Sequence, residues 1–307
     1  MIQPLNVPSA TSVSSPEVQL LGPREIKELA GTVGVSPTKK LGQNFVVDPN
    51  TVRRIVTAAD LRDDDHVLEV GPGLGSLTLA LLDVAPRVTA VEIDHTLAKQ
   101  LPHTVATYAP TRVQNLSIIH SDALALTPET SDELAAHPPT AFVANLPYNV
   151  AVPILLHVLE LFPTMTRVLV MVQAEVADRL AAEPGNRVYG VPSVKARFYG
   201  SVKRAGAIGK NVFWPAPNVD SGLVRIDCGT RPWTPDSAAR SRLWPLIDAA
   251  FAQRRKTLRA ALKAHCGGAA AAEEMLRAAG IDPQRRGETL SIDEFITLAD
   301  ISEGSSR

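Results

Sequence analysis

The chain has 307 residues, 45% of them hydrophobic and 21% charged, with a formal net charge of −1. That composition fits a globular protein with one large domain and room for a smaller one. Two cysteines, Cys228 and Cys266, exclude a disulfide scaffold, and neither they nor the seven histidines show metal-ligand spacing.

No apolar run approaches the ~20 residues of a membrane span, and no basic-then-apolar leader opens the sequence. A cytoplasmic protein with no metal and no membrane association is therefore expected. The small net charge hides an uneven distribution. Between Arg179 and Lys263 sixteen Lys and Arg stand against five Asp and Glu, an excess of +11, while the rest of the chain carries −12. An anionic partner for the later segment accounts for this asymmetry, as does a solvated basic face.

Residues 1–22 are rich in Pro, Ser, Thr and Val without periodicity and read as a disordered extension. A first helix can open at Arg24–Leu29, and the main domain is expected over 23–230. Pro37 to Phe45 reads as a basic, amide-rich loop. Asp48-Pro49 then starts a helix that carries Val52, Ile55 and Val56.

Asp65–Val70 reads as a strand, Gly71-Pro72-Gly73-Leu74-Gly75 as a tight turn, and Ser76 onward as a helix. Strand, glycine turn and helix make a nucleotide-binding opening, in which Gly71 and Gly73 let the backbone approach a ligand. The spacing is Gly-x-Gly-x-Gly, however, which weakens a pyrophosphate site and with it a nicotinamide dehydrogenase. The second strand, Arg87–Ile93, carries Glu92 near its end, 21 residues beyond Gly71, where an acid can accept from both ribose hydroxyls. The third, Leu116–His120, is followed by Asp122, placed to accept from an adenine amino group. Either acid alone reads first as a helix N-cap; the ordered set at three strand ends favours a nucleoside site.

The fourth strand runs into Asn145-Leu146-Pro147-Tyr148. Pro147 fixes its own φ, offers no N–H and holds Leu146 extended. Asn145 adds an amide acceptor and Tyr148 a flat aromatic face, a combination suited to a planar ring bearing an amino group. An ordinary strand-to-helix turn is the competing reading. A helix (Val152–Leu161), a fifth strand (Arg167–Val172) and a helix through Glu175, Val176 and Leu180 follow. Strand-like runs at Val194–Val202 and Gly222–Asp227 flank a proline-stiffened loop, Phe213 to Ser221, that can hold Phe213 as a second aromatic wall or bury it.

After Pro235 the pattern turns helical, giving a small second domain over 236–307. Leu243, Leu246, Ile247, Ala250 and Phe251 form an apolar stripe, and Gln253 to Arg259 continues the helix as a cationic face. Gly267-Gly268 breaks it, and further helices are expected near Glu273–Ala279 and Ile292–Ala299.

With these segments assembled, the chain resembles the rRNA adenine dimethyltransferase family of S-adenosylmethionine-dependent enzymes from about Lys39 to Leu298. The carrying segments are Leu41-Gly42-Gln43-Asn44-Phe45, Glu69-Val70-Gly71-Pro72-Gly73, Val91-Glu92-Ile93-Asp94, Asp122-Ala123-Leu124 and Asn145-Leu146-Pro147-Tyr148. Val172-Gln173-Ala174-Glu175-Val176, Val219-Asp220-Ser221 and Arg254-Arg255-Lys256-Thr257-Leu258-Arg259 complete the set. The resemblance implies a doubly wound seven-stranded methyltransferase sheet, its last strand antiparallel, with a small C-terminal helical domain.

It further implies dimethylation of two adjacent adenosines in the 3′-terminal hairpin loop of small-subunit rRNA, within an immature subunit. S-adenosylmethionine would be held by Asn44, the backbone at Val46 and Gly71 beside Gly73, then Glu92, Asp122 and Asn145. Asn145 to Tyr148 would carry the chemistry, with Tyr148 and Phe213 stacking on the base. Arg254, Arg255, Lys256 and Arg259 would hold RNA. A large-subunit rRNA methyltransferase of the resistance type and a non-catalytic assembly factor are the rival readings. Two positions depart from the family pattern, Ala174 where Lys is usual and Trp214 where a small polar residue is usual.

Overall fold

The computed structural model describes residues 18–34, 44–229 and 236–304. Its strands are β1 (Phe45–Val46), β2 (His66–Val70), β3 (Arg87–Glu92), β4 (Leu116–His120), β5 (Ala141–Asn145), β6 (Arg167–Gln173), β7 (Gly200–Ile208), β8 (Phe213–Trp214) and β9 (Ser221–Cys228). The first helices are α1 (Pro23–Thr32), α2 (Pro49–Ala59), α3 (Ser76–Val84), α4 (His95–Tyr108), α5 (Asp132–Ala136) and α6 (Ala151–Leu161). They are followed by α7 (Ala174–Ala181), α8 (Val191–Tyr199), α9 (Ser237–Ala252), α10 (Leu258–Ala261), α11 (Ala269–Ala278) and α12 (Ile292–Gly304).

β5 and β6 are largely apolar runs because both of their faces are covered, and β2 is buried at every position although it carries His66 and Glu69. Among the described residues they join a seven-stranded sheet of order β4-β3-β2-β5-β6-β9-β7, while β1 pairs with β8. β2 to β6 run parallel, and β9 is antiparallel to β6 and β7. This is the doubly wound sheet with an antiparallel last strand that the resemblance implied.

The strand order reverses at β2, which makes the ends of β2 and β5 the switch point where open α/β sheets bind ligands. The register shared by these two strands covers Val67–Ala141 and Leu68–Phe142, short of the carboxyl ends of both. Helices α2, α3 and α4 cover one face through Ile55, Leu79 and Leu101, and α6 and α8 cover the other through Leu155 and Phe198. The C-terminal helices extend this second layer. Leu243, Leu246, Leu258, Leu276 and Phe295 belong to the same apolar cluster, and Trp244 meets Phe198 edge-on at 5.1 Å.

Three expectations are corrected. Residues 1–17 lie outside the described residues, but 18–22, expected to be disordered with them, are packed. Val18 and Leu21 are buried in the α2–α4 core, and the Gln19 N–H donates to the Tyr108 carbonyl at 2.7 Å. Val194–Tyr199, expected as a strand, is the body of α8. Val194, Ala196 and Phe198 alternate as a strand would, but Pro192 in the first turn and the Ser193 hydroxyl, accepting from Gly190 N–H at 3.0 Å, start a helix. Arg197 then reaches the carbonyls of Leu180 and Ala181 at the end of α7, at 3.0 and 3.1 Å.

The third correction concerns Gln253–Lys256, which turn instead of continuing α9. Tertiary bonds take over from helical ones. The Arg254 guanidinium donates to the carbonyls of Arg187 (2.8 Å) and Tyr189 (3.0 Å), and the Leu258 N–H to that of Arg285 (2.7 Å).

Candidate active site

At the end of β5 the backbone is fixed from both sides. The Leu146 N–H donates to the Met171 carbonyl at 3.1 Å, and the Pro147 carbonyl accepts from Val150 N–H at 3.2 Å as α6 begins. The Leu146 side chain is buried and the Leu146 carbonyl has no partner among the described residues. Asn145 donates through Nδ2 to the Asn44 carbonyl at 3.1 Å, which assigns Oδ1 as an acceptor with no partner among the described residues. The Tyr148 ring is half-buried, and its hydroxyl shares a 2.7 Å hydrogen bond with Ser221 Oγ on β9. Burial pushes the Tyr148 phenol up, and the Ser221 bond opposes the shift.

The ends of β2, β3 and β4 bring their groups to the same edge. Glu92 is buried, accepting from Gly73 N–H at 3.1 Å and from Asp94 N–H at 3.0 Å. Burial pushes its carboxyl up against the lowering effect of these donors. Asp122 caps the turn after β4, accepting from Leu124 N–H at 2.9 Å, and is exposed. Gly73 sits at φ +58°, and a Cβ there would meet the Phe45 ring at 2.8 Å. The glycine is therefore needed twice over, for its backbone and for Phe45. Ser76, opening α3, donates to the Val46 carbonyl at 2.7 Å and ties β1 to the glycine turn.

These groups surround one cavity of about 260 Å³, lined by Asn44, Phe45, Val46, Glu69, Gly71, Gly73, Glu92, Asp122, Asn145, Leu146, Pro147 and Tyr148, with apolar walls including Ile93, Leu97 and Leu124. Every residue expected at a cofactor site thus lies on the same cavity as the Asn145–Tyr148 notch. Among the described residues three carboxylates line it and no Lys, Arg or His does. Those acceptors suit a ligand with positive charge and hydroxyl or amino donors, as an adenosyl sulfonium compound has, and make a poor host for pyrophosphate.

Glu69 is a titratable lining residue to which the sequence assigned no role. It is 1% exposed, accepts from the Thr78 hydroxyl at 2.6 Å, and burial, with Glu92 nearby, pushes its carboxyl up to about 8. Its place in a buried strand beside a glycine turn was the available signal.

Other expected residues fall elsewhere. Phe213 is not a wall of this cavity: it is 4% exposed and packed in the core, where β8 pairs with β1. Phe45 lines the cavity instead, stacked on Trp214 with ring centroids 6.3 Å apart. Leu41-Gly42-Gln43 lie outside the described residues.

Of the four expected RNA-binding cations, Arg254 is engaged with two carbonyls and with Glu288 at 3.1 Å, and Arg259 pairs with Glu273 at 2.7 Å. Arg255 and Lys256 are exposed without an ion pair among the described residues. Ala174 opens α7, its N–H donating to the Asp220 carbonyl at 2.9 Å.

No helix among the described residues is long and apolar enough to cross a membrane, and none of their His, Cys, Asp and Glu side chains form a group that could hold a metal ion.

The chain is similar to known proteins over most of its length. It is 66% identical over 287 residues to "Ribosomal RNA small subunit methyltransferase A" of Corynebacterium diphtheriae, covering 92% of this chain and 96% of that one. The protein of that name from Streptomyces avermitilis is 62% identical, with 92% and 93% covered. Among solved structures, a dimethyladenosine transferase from Plasmodium falciparum superposes with a TM-score of 0.68 at 22% identity, covering 84% of this chain and 97% of that one. The 23S rRNA methyltransferase ErmE gives 0.61 at 27% identity, covering 85% and 100%. The model of the ribosomal RNA adenine dimethylases matches residues 35–303, so the chain belongs to the ribosomal RNA adenine dimethylase family.

Proposed function

We propose that this enzyme dimethylates the exocyclic amines of two adjacent adenosines in the 3′-terminal hairpin loop of small-subunit rRNA, acting as a monomer on an immature subunit in the cytoplasm. The observation that carries the reading is the pair of acceptors at the end of β5. Asn145 spends Nδ2 on the Asn44 carbonyl, and neither its Oδ1 nor the Leu146 carbonyl has a partner among the described residues. Both belong to the cavity that also holds Glu92 and Asp122. Relatives at 62–66% identity over nearly their whole length carry the small-subunit methyltransferase name, which supports the choice of subunit.

An adenine amino nitrogen is a poor nucleophile because its lone pair is delocalised into the ring. Two fixed acceptors, Asn145 Oδ1 and the Leu146 carbonyl, would take its two N–H bonds, draw the nitrogen toward tetrahedral geometry and turn the lone pair into the cavity. S-adenosylmethionine, when bound, supplies an electrophilic methyl group on positively charged sulfur. Glu92 would accept from its ribose hydroxyls and Asp122 from its adenine amine, with Asn44 and the backbone at Val46, Gly71 and Gly73 completing the contacts.

Tyr148 would stack on the extruded base and repay part of its unstacking, about 1–3 kcal/mol. Alignment of two held reactants can lower the barrier by about 7–11 kcal/mol, and preorganised acceptors by about 3–4 kcal/mol more. The proton released from nitrogen passes to a carbonyl or to solvent, so no strong base is required. The test is labelled methyl incorporation into undermodified small and large ribosomal subunits offered side by side. Label in the small subunit alone supports the proposal; label in the large subunit would assign the chain to the resistance-type activity instead.

A further inference from the structure

Trp214 departs from the family pattern, and the proposed chemistry gives it no task. It does not line the cavity; it is half-buried and packs on the core shared by β1, α2 and α3. Its ring lies against Phe45, which does line the cavity, with centroids 6.3 Å and planes 26° apart. The two residues are register partners in the pairing of β1 with β8.

β1 is two residues long and pairs, among the described residues, with β8 alone. So short a ladder fixes little by itself, and its backbone is tied from outside. The Asn44 carbonyl accepts from Asn145 Nδ2 at 3.1 Å, and the Val46 carbonyl from the Ser76 hydroxyl at 2.7 Å. These bonds place the backbone on either side of Phe45 but do not choose its side-chain rotamer. Two neighbours do. One edge of the ring is so near Gly73 that a Cβ there would meet it at 2.8 Å, and its face is backed by Trp214.

The Gly73 N–H in turn donates to Glu92 at 3.1 Å, so Phe45 stands on the side of the cavity read as the methyl-donor site. Tyr148, on the side read as the base site, is anchored separately. Its partner Ser221 is fixed by its register with Gln173 and Ile208 in the main sheet.

We propose that Trp214 is a positioning residue for methyl-donor binding, acting through Phe45: it holds that ring against the glycine turn, so the wall is set before the donor arrives. This rests on the S-adenosylmethionine reading of the site. A side chain that must be ordered at each binding event weakens affinity by about five- to tenfold. Trp214 removes that loss for the donor and leaves methyl transfer and the hold on RNA as they are.

The experiment compares the full chain with Trp214→Thr, which takes away the backing ring, and Trp214→Phe, which restores a flat face. Titration calorimetry gives the Kd of S-adenosylmethionine, and steady-state transfer to undermodified small subunits gives kcat and the KM of each substrate. In Trp214→Thr the donor Kd and KM should rise about five- to tenfold, with kcat at saturating donor and the KM for subunits within about twofold of wild type. Trp214→Phe should return the donor values to within about twofold. Trp214→Leu, which keeps apolar bulk over the core without a flat face, should weaken donor binding in the same way and serves if the threonine variant does not fold. Phe45→Leu weakens donor binding by itself, and adding Trp214→Thr to it should weaken binding no further.

Unchanged donor affinity in both Trp214→Thr and Trp214→Leu would overturn the inference. So would an equal rise in both KM values with a fall in kcat, or additive losses in the double variant. Donor binding by the wild type leaves the methyl-donor reading intact in each of these cases; its absence would overturn that reading itself.

Discussion

The Tyr148 hydroxyl and Ser221 Oγ lie 2.7 Å apart, so the ring that closes the notch after β5 is anchored to the antiparallel strand β9. Ser221 is fully buried, and this bond supplies its hydroxyl with a partner. Tyr148→Phe should keep the stacking face while costing about 1–3 kcal/mol of stability through the orphaned Ser221 hydroxyl. Tyr148→Ala should in addition lose about 1–3 kcal/mol of base stacking. Thermal melting and single-turnover methyl transfer separate the two effects. Equal transfer rates in both variants would show that the ring does not meet the base.

Asn145→Ala removes the acceptor at the end of β5 and the bond to the Asn44 carbonyl. By analogy with the loss of one oxyanion-hole donor, turnover should fall by about 10²–10³-fold. RNA affinity, set on another surface, should stay within about twofold. Turnover rates and filter-binding constants on the same preparation check this. Unaltered turnover would remove Asn145 from the chemistry.

Glu69 also makes stability depend on pH. Its acid form is favoured by burial, so the folded chain keeps the proton while the unfolded chain loses it above its ordinary value of 4.5. The unfolded state then binds fewer protons, and folding stability falls as pH rises from 4.5 toward about 8. Glu69→Gln does not incur this loss. In the absence of ligand its melting temperature should match the wild type near about pH 5 and exceed it by about 5 °C or more near about pH 9. A difference that is constant across this range would place the Glu69 proton affinity near that of an exposed carboxyl.

Arg254 and the pair Arg255–Lys256 are adjacent in sequence but differ in what they touch. Arg254 bridges the turn after α9 to the Arg187–Tyr189 loop and to Glu288, while the other two face solvent. Arg254→Ala should lower the melting temperature and leave the salt dependence of RNA binding unchanged. Arg255→Ala and Lys256→Ala should each reduce the slope of log K against log salt by about 0.7–0.9 and leave melting unchanged. If the slope ignores both, RNA is held on another face.

The sheet and the set of residues gathered on one cavity were legible because each depends on short-range signals. Glycines take positive φ beside Asn145 and Phe45, Glu92 ends β3, Asp122 comes two residues after β4, and Pro147 fixes its own neighbourhood. What the sequence did not disclose depends on distant partners. Arg254 and Arg259 read as free cations because Glu288 and Glu273 lie far along the chain. Phe213 and Phe45 exchanged places because only the pairing of β8 with β1 decides which ring reaches the cavity. Glu69 looked like any strand residue until its burial was known, and α8 was hidden by an alternation that both periods satisfy.

The central claim is that a rigid pair of acceptors grips an extruded adenine by its amine. It is tested most directly by the crystal structure of the chain with S-adenosylhomocysteine and an RNA hairpin carrying the target adenosines. The account predicts the exocyclic nitrogen within about 3.2 Å of both Asn145 Oδ1 and the Leu146 carbonyl, with the Tyr148 ring against the base. An adenine seated in the cavity with its amine turned away from both acceptors would contradict it.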